Sequence, residues 1–199
     1  FEFAMRYGNP SIRSGLEALK QRGVTDLLLL PMFPHYAQAT TESSLKHAHL
    51  QLKAMNWSPN LLEMGHFETA EEFIGPLSES IRPHLTEDTH LLFSYHGLPV
   101  SHVKRIDRSK AHCQTVEACC TVKCEANSLC YGRHCNETTM AVVERLGLKP
   151  DQWSLSYQSR LGPVKWLEPS TTLMVEALVK KGVKKLAIVA PAFLADGLE

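Results

Sequence analysis

All six cysteines of the 199-residue chain fall between Cys113 and Cys135. Thiolates at that density are suited to zinc or to an iron–sulfur cluster. Structural disulfides in a secreted protein would be spread through the fold and accompanied by a secretion signal. Phe1-Glu2-Phe3-Ala4-Met5 has neither a basic n-region nor a cleavage site, so the cluster favours metal binding in a cytosolic setting. A second group of reactive types stands at the ends of apolar runs. His96 follows one run and precedes Gly97-Leu98-Pro99, while Asp196 and Glu199 follow another. Imidazole titrates near neutrality and serves as a base or a metal ligand. Carboxylates ligate divalent ions and pass protons. A lone histidine is more often structural than catalytic, but the Gly-Leu-Pro turn exposes this one.

The elements that must position these groups are apolar runs alternating with amphipathic segments. Residues 1–5, 26–31, 89–95, 153–157 and 184–190 read as buried strands. Continuous apolar strands separated by helices indicate parallel sheets covered on both faces. Pro10 and Ser11 open a helix whose inward face is Ile12, Leu16 and Leu19, and Gly23 stops it. Pro169 and Ser170 open another, with Leu173, Ala177 and Leu178 inward and Gly182 at its end. Segments 41–55, 69–82 and 136–146 are further helix candidates. Arg22-Gly23-Val24 followed by Asp26-Leu27-Leu28-Leu29 resembles Lys181-Gly182-Val183 followed by Lys185-Leu186-Ala187-Ile188. Two related α/β halves would produce this repeat, and so would any two helix–Gly–strand junctions. Ligands of open α/β sheets sit at the carboxyl ends of strands, which points to the stretches after Leu30, Tyr95 and Ala190.

Composition excludes some classes. Lys+Arg and Asp+Glu each total 21, so the formal net charge is zero. That is not the basic excess of a nucleic-acid binder. The longest apolar run, Leu27 to Phe33, is too short to span a bilayer.

Several segments, in order and spacing, resemble the ferrochelatase family along almost the whole chain. They are Ala4-Met5-Arg6-Tyr7-Gly8-Asn9-Pro10, Phe33-Pro34-His35-Tyr36, Ser94-Tyr95-His96-Gly97-Leu98-Pro99, Tyr157-Gln158-Ser159-Arg160-Leu161-Gly162, Trp166-Leu167-Glu168-Pro169 and Phe193…Asp196-Gly197-Leu198-Glu199. The resemblance implies an α/β chelatase fold of two pseudo-symmetric, Rossmann-like halves with parallel sheets flanked by helices, and a porphyrin cleft between the halves. Residues 1–84 would be the C-terminal part of the first half and residues 85–199 the second, with the chain a fragment of a longer protein and inactive by itself. The implied activity is a cytoplasmic lyase that inserts Fe²⁺ into protoporphyrin IX, the last step of haem biosynthesis. Coproporphyrin III is the alternative substrate.

The resemblance makes His96 the acceptor of pyrrole protons or the residue that first meets iron, with Glu199 and Asp196 on the same side of the pocket. Arg6 and Tyr7 match residues lining the opposite face. Phe33, Trp166 and Phe193 match apolar walls around the macrocycle, with plain core packing as the competing reading. Gly197 stands where some relatives carry a His or Cys, so a metal-relay role for that position is absent. Porphyrin and ferrous iron are the implied partners. Peripheral membrane contact and the oligomeric state are left open.

Family members pass from the His-Gly-Leu-Pro turn to a Tyr-x-x-x-Cys-x-x-Thr helix start, here Tyr131 to Thr138, by a shorter loop. The longer connection at about 107–130 carries Cys113, Cys119, Cys120, Cys124 and Cys130. A long loop without regular structure is usually functional or cross-linked. Certain bacterial ferrochelatases carry a [2Fe–2S] cluster in such a segment, which favours a cluster held by four of these five. Zinc is the alternative, disfavoured by the lack of a Cys-x-x-Cys pair. Alternation of neighbouring side chains would point Cys119 and Cys120 apart, so that only one of them ligates. Cys135 is the weakest candidate. Two other functions share these features: a cobalt or nickel chelatase, and a non-catalytic iron–sulfur sensor.

Overall fold

Ser11 caps the first helix, α1 (Ile12–Gln21), by accepting the Ser14 N–H at 3.1 Å. This satisfies one of the donors that every helix start leaves without an intrahelical partner. Gly23 follows the helix at φ +72°, a left-handed conformation that glycine adopts without a Cβ clash. The computed structural model describes residues 1–194. The chain forms two compact units that divide in sequence between His66 and Phe67.

In the first unit α1 leads to β1 (Asp26–Leu29), a π-helical turn at Gln38–Glu42 runs into α2 (Ser43–Ala54), and β2 (Asn60–Glu63) follows. β1 and β2 pair in parallel, with Leu27 beside Leu61. Ile12, Leu16, Leu27, Ala48 and Leu52 form the core between helices and sheet. Residues 1–5, expected as a buried strand, instead contribute a single bridge from Met5 to Ser11, and Phe1 and Phe3 are exposed. Their apolar character signals a tendency to be buried, but strand formation also requires a backbone to pair with. β2 went unseen for the converse reason: two leucines between Asn60 and Glu63 carry no periodicity, and pairing with β1 makes them a strand.

The second unit contains α3 (Glu71–Ile81), β3 (Thr89–His96), α4 (Val100–Lys104), α5 (Tyr131–Leu146), β4 (Trp153–Gln158), α6 (Thr171–Lys180) and β5 (Lys185–Val189). Its sheet is parallel, in the order β4-β3-β5. Leu91, Leu92, Phe93 and Tyr95 of the central strand are at most 1% exposed, as a parallel strand covered on both faces requires. Successive side chains leave opposite faces of a strand. Accordingly Tyr95 hydrogen-bonds through its hydroxyl to Thr139 of α5, and Ser94 to Thr171 of α6, both at 2.8 Å.

α3 packs on α5, with the Arg145 guanidinium 2.8 Å from the Glu71 carboxylate. The compact units therefore divide upstream of the 84/85 position that the sequence suggests for the boundary between halves. α5 begins at Tyr131, where the family resemblance puts the helix start and five residues before the 136 read from residue types, because its first turn is buried through Tyr131, Gly132, Arg133, His134 and Cys135, types that carry little helix signal.

α6 repeats α1: Ser170 caps it through the Leu173 N–H, Gly182 follows at φ +85°, and a strand begins three residues later. Its inward face differs from expectation. Leu178 is buried, whereas Leu173 is 58% exposed and Ala177 is also exposed. Thr171 binds both Ser94 and Ser156 of the sheet, and this fixes the helix with the Thr171–Leu178 stripe inward.

Leu92 lies at the centre of the buried strand with no exposed surface. Leu92→Ala is expected to destabilise the protein by about 3 kcal/mol through lost burial and a residual cavity, measured as a shift in the chemical denaturation midpoint.

Candidate active site and cysteine centre

His96 is the last residue of β3 and sits beside Gln158 of β4. The peptide unit joining His96 to Gly97 is held on both sides. Its N–H donates to Gln158 O at 2.8 Å, and its carbonyl accepts the Tyr131 hydroxyl at 2.8 Å. A Cβ on Gly97 would lie 2.7 Å from Gln158 O and 3.3 Å from the Trp166 ring, so the close approach of β4 and Trp166 demands glycine there.

His96 Nδ1 donates to Gly97 O at 2.7 Å. In the neutral imidazole this leaves Nε2 as the acceptor nitrogen, the form required of a base or metal ligand. The Phe193 ring stands edge-on at 6.0 Å from the imidazole. Trp166 is tied to the same turn by a bridge to Pro99, and its indole N–H donates to Leu161 O. His96, Trp166 and Phe193 are thus gathered at one strand end. Asp196 and Glu199 lie outside the described residues.

Arg6, Tyr7 and Phe33 belong to the first unit. The Arg6 guanidinium lies 4.5 Å over the Tyr7 ring and donates to Ser43 Oγ at 3.0 Å. Arg6 and Phe33 line an apolar cavity of about 390 Å³, whose walls include Met5, Leu29 and Met32.

The loop carrying the cysteines is ordered by buried polar groups rather than by long helices or strands. Asp107 accepts the Ser109 hydroxyl and the N–H groups of Ser109, His112 and Cys113. Asn127, 1% exposed, accepts the Cys124 N–H and donates to the carbonyls of Cys119 and Val122. Arg133 and His134, on the first turn of α5, donate to Ser128 O. None of these residues stands out in the sequence. Asp107-x-Ser109 has the types of an Asx turn, and that is the only available signal.

Four of the loop's five sulfurs, those of Cys113, Cys119, Cys120 and Cys130, gather together. Cys119 and Cys120 Sγ are 3.8 Å apart, a departure from the expectation that adjacent side chains diverge. Alternation holds along extended strands, whereas this backbone turns through Ala118 at φ +50°. The Cys120 thiol hydrogen-bonds to Cys130 and lowers its pKa, while the same contact and burial raise that of Cys120. Burial first, then the neighbouring Cys130 and Cys119, pushes the Cys113 thiol up to about 11. Cys113, Cys119 and Cys130 also line a small cavity with His112. Crowded thiols of this kind can stabilise one thiolate, at Cys130, but resist further negative charge until a cation neutralises it, so the donor set fits a thiolate-bound metal group. Cys124 lies apart, 3.7 and 3.8 Å from the two ring nitrogens of His112. Cys135 is buried in α5, where burial raises its pKa well above the usual thiol value and Tyr131 contacts it.

Parallel sheets flanked by helices, with a histidine and aromatic rings at a strand's carboxyl end, define an α/β protein with its polar chemistry at the sheet edge. Residues 1–199 match the family model described as Ferrochelatase, and the chain belongs to the ferrochelatase family. It is 38% identical over 199 residues to the ferrochelatase of Pseudomonas syringae pv. syringae (strain B728a), covering 100% of this chain and 58% of that protein. It is 40% identical over 197 residues to that of Bdellovibrio bacteriovorus (strain HD100), covering 98% and 58%, respectively. The ferrochelatase of Stutzerimonas stutzeri (strain A1501) is 39% identical over 201 residues, with 100% and 59% covered. The chain thus spans less than two thirds of the length of these curated relatives. Among the described residues no helix is long and apolar enough to cross a membrane.

Hydrogen bonds from the Ser109 hydroxyl, then from the Cys113, His112 and Ser109 N–H groups, hold the Asp107 carboxyl well below the usual carboxylate range. A depressed folded-state pKa contributes stability that is present above the unfolded value, about 3.9, and is lost as pH falls below it. Protection factors across residues 107–130, taken against the intrinsic exchange rate at each pH, are therefore expected to fall below about pH 4. Asp107→Asn should produce the same loosening at pH 7.

Proposed function

We propose that the whole protein of which this chain is part inserts ferrous iron into protoporphyrin IX to give protohaem, the last step of haem biosynthesis. The observation that carries the reading is the His96 geometry in a member of this family: Nδ1–H is committed to Gly97 O, so Nε2 is the proton-accepting end. Metalation requires two pyrrole protons to leave while the macrocycle bends to open its nitrogens to the incoming ion. His96 Nε2 takes a pyrrole proton, or contacts Fe²⁺ as it arrives. Asp196 and Glu199 are assigned to ligating the incoming iron and carrying protons outward, as their chemistry allows.

Trp166 and Phe193, beside His96, and Arg6, Tyr7 and Phe33, in the first unit, are assigned to the porphyrin. Apolar rings suit its flat faces, and a guanidinium suits a propionate. The repeat of cap, helix, glycine and strand supports two related halves, with the boundary proposed at 84/85. The compartment proposed is the cytoplasm.

We further assign four of Cys113, Cys119, Cys120, Cys124 and Cys130 to a [2Fe–2S] cluster. The crowding of sulfurs around Cys119, Cys120 and Cys130 supports this. When bound, such a group supplies a one-electron redox centre and a cross-link for the loop. Zinc is the second reading, favoured by the approach of His112 to Cys124, since zinc accepts mixed Cys and His ligands.

Full-length protein carrying His96→Ala is expected to lose about 10²-fold or more in the rate of metalloporphyrin formation, followed by absorbance with Fe²⁺ or Zn²⁺. Wild-type turnover in that variant would refute the mechanism. Anaerobically purified protein is expected to show visible absorbance with acid-labile sulfide. Cys135→Ser should retain both, while Cys130→Ser should lose them. Stoichiometric zinc without sulfide would favour the second reading.

A further inference from the structure

Tyr131 is the first residue of α5 and follows Cys130 directly; both are buried, at 5% and 6% exposure. The rest of that first turn is wedged between the cysteine loop and the sheet. A Cβ on Gly132 would lie 3.0 Å from Cys120 Sγ and 3.7 Å from the Tyr157 hydroxyl. On the loop side, Arg133 and His134 grip Ser128 O, and Asn136 donates to Cys120 O at 3.2 Å. On the sheet side, the Tyr131 hydroxyl donates to His96 O at 2.8 Å.

That last bond has a specific mechanical consequence. The imidazole is oriented by its Nδ1 bond to Gly97 O, and the direction of that carbonyl depends on the preceding peptide unit. The unit's N–H side is fixed by β4 through Gln158 O, and its C=O side by Tyr131. Glycine at position 97 gives the peptide more rotational freedom than any other residue would, so both anchors are needed to hold one orientation.

We infer that Tyr131 is a positioning residue for His96 and transmits the state of the cysteine centre to it, because its backbone is joined to Cys130. The inference rests on the proposed role of His96 and on metal binding by the cysteines. Movement of Cys130 on gain or loss of the metal group shifts the start of α5. The hydroxyl that clamps the His96–Gly97 peptide moves with it.

The test uses full-length protein with porphyrin and Zn²⁺ or Fe²⁺. Tyr131→Phe keeps the ring and removes the hydroxyl's bond to His96 O together with its contact to Cys135, so kcat is expected to fall about three- to tenfold. The KM for porphyrin should stay within about twofold, because binding groups are untouched. Amide hydrogen exchange at Gly97, read by mass spectrometry on a peptide spanning residues 94–98, should accelerate in the variant. This reports the clamp independently of turnover. Cys130→Ser should lower kcat in the wild-type background and lower it no further in Tyr131→Phe.

Wild-type kcat in Tyr131→Phe, or a raised KM with kcat unchanged, would overturn the positioning role. A Cys130→Ser effect of equal size in both backgrounds would overturn the link to the cysteines. If His96→Ala keeps full turnover, the site reading itself fails. If that variant is inactive while Tyr131→Phe is unaffected, only the present inference fails.

Discussion

Strand β3 is buried on both faces, and the placement of the chemistry in the second unit follows from that constraint. A strand in this position has no room for a charged side chain until its carboxyl end. His96 is the first residue of β3 past full burial. Its backbone continues the ladder to Gln158, while its side chain turns back onto the carbonyl of Gly97. The rigidity of the strand is thereby transferred to an imidazole whose Nδ1–H is committed to the backbone, which leaves Nε2 as the accepting nitrogen. Preorganisation of this kind matters for the proposed reaction, in which the protein would supply orientation and a proton acceptor more than covalent chemistry.

The long loop after α4 solves a different problem. It is too poor in apolar residues to bury a core of its own, and its backbone is instead satisfied by three polar hubs, Asp107, Asn127 and the Arg133–His134 pair. Each hub answers several backbone groups at once, as buried polar atoms must be answered if they are not to destabilise the fold. The result is a framework that brings sulfurs within 4 Å of one another. Neutral thiols tolerate this crowding, and a bound metal group would convert it into an attraction.

These two constructions share α5. The helix covers the sheet with Val142 and Thr139, accepts the loop at its first turn, and reaches the His96 carbonyl through Tyr131. A substitution in that turn is therefore felt by both the cysteine centre and the candidate active site, although the two are distinct in chemistry.

Much of this was legible in the sequence. Four of the five strands were marked by apolar runs, three of them with β-branched or aromatic content. Ser11, Gly23, Ser170 and Gly182 announced the ends of two helices by types whose effect is local. His96 was marked by its place between an apolar run and a Gly-Leu-Pro turn, and the cysteine-rich loop, to which metal binding is assigned by proposal, by the number of its cysteines. Other features depended on partners distant in the chain. β2 exists because β1 lies beside it, and residues 1–5 are not a strand because, among the described residues, they make a single bridge, from Met5 to Ser11. The inward face of α6 was set by Thr171 meeting Ser94 and Ser156, which outweighed the apolar Leu173. The convergence of Cys119 and Cys120 required a turn that composition does not encode. The clamp of Tyr131 on His96 joins residues 35 apart in sequence. Local residue types determined the elements and the reactive groups. Burial of one strand and the hydrogen bonds across it decided how those groups are held.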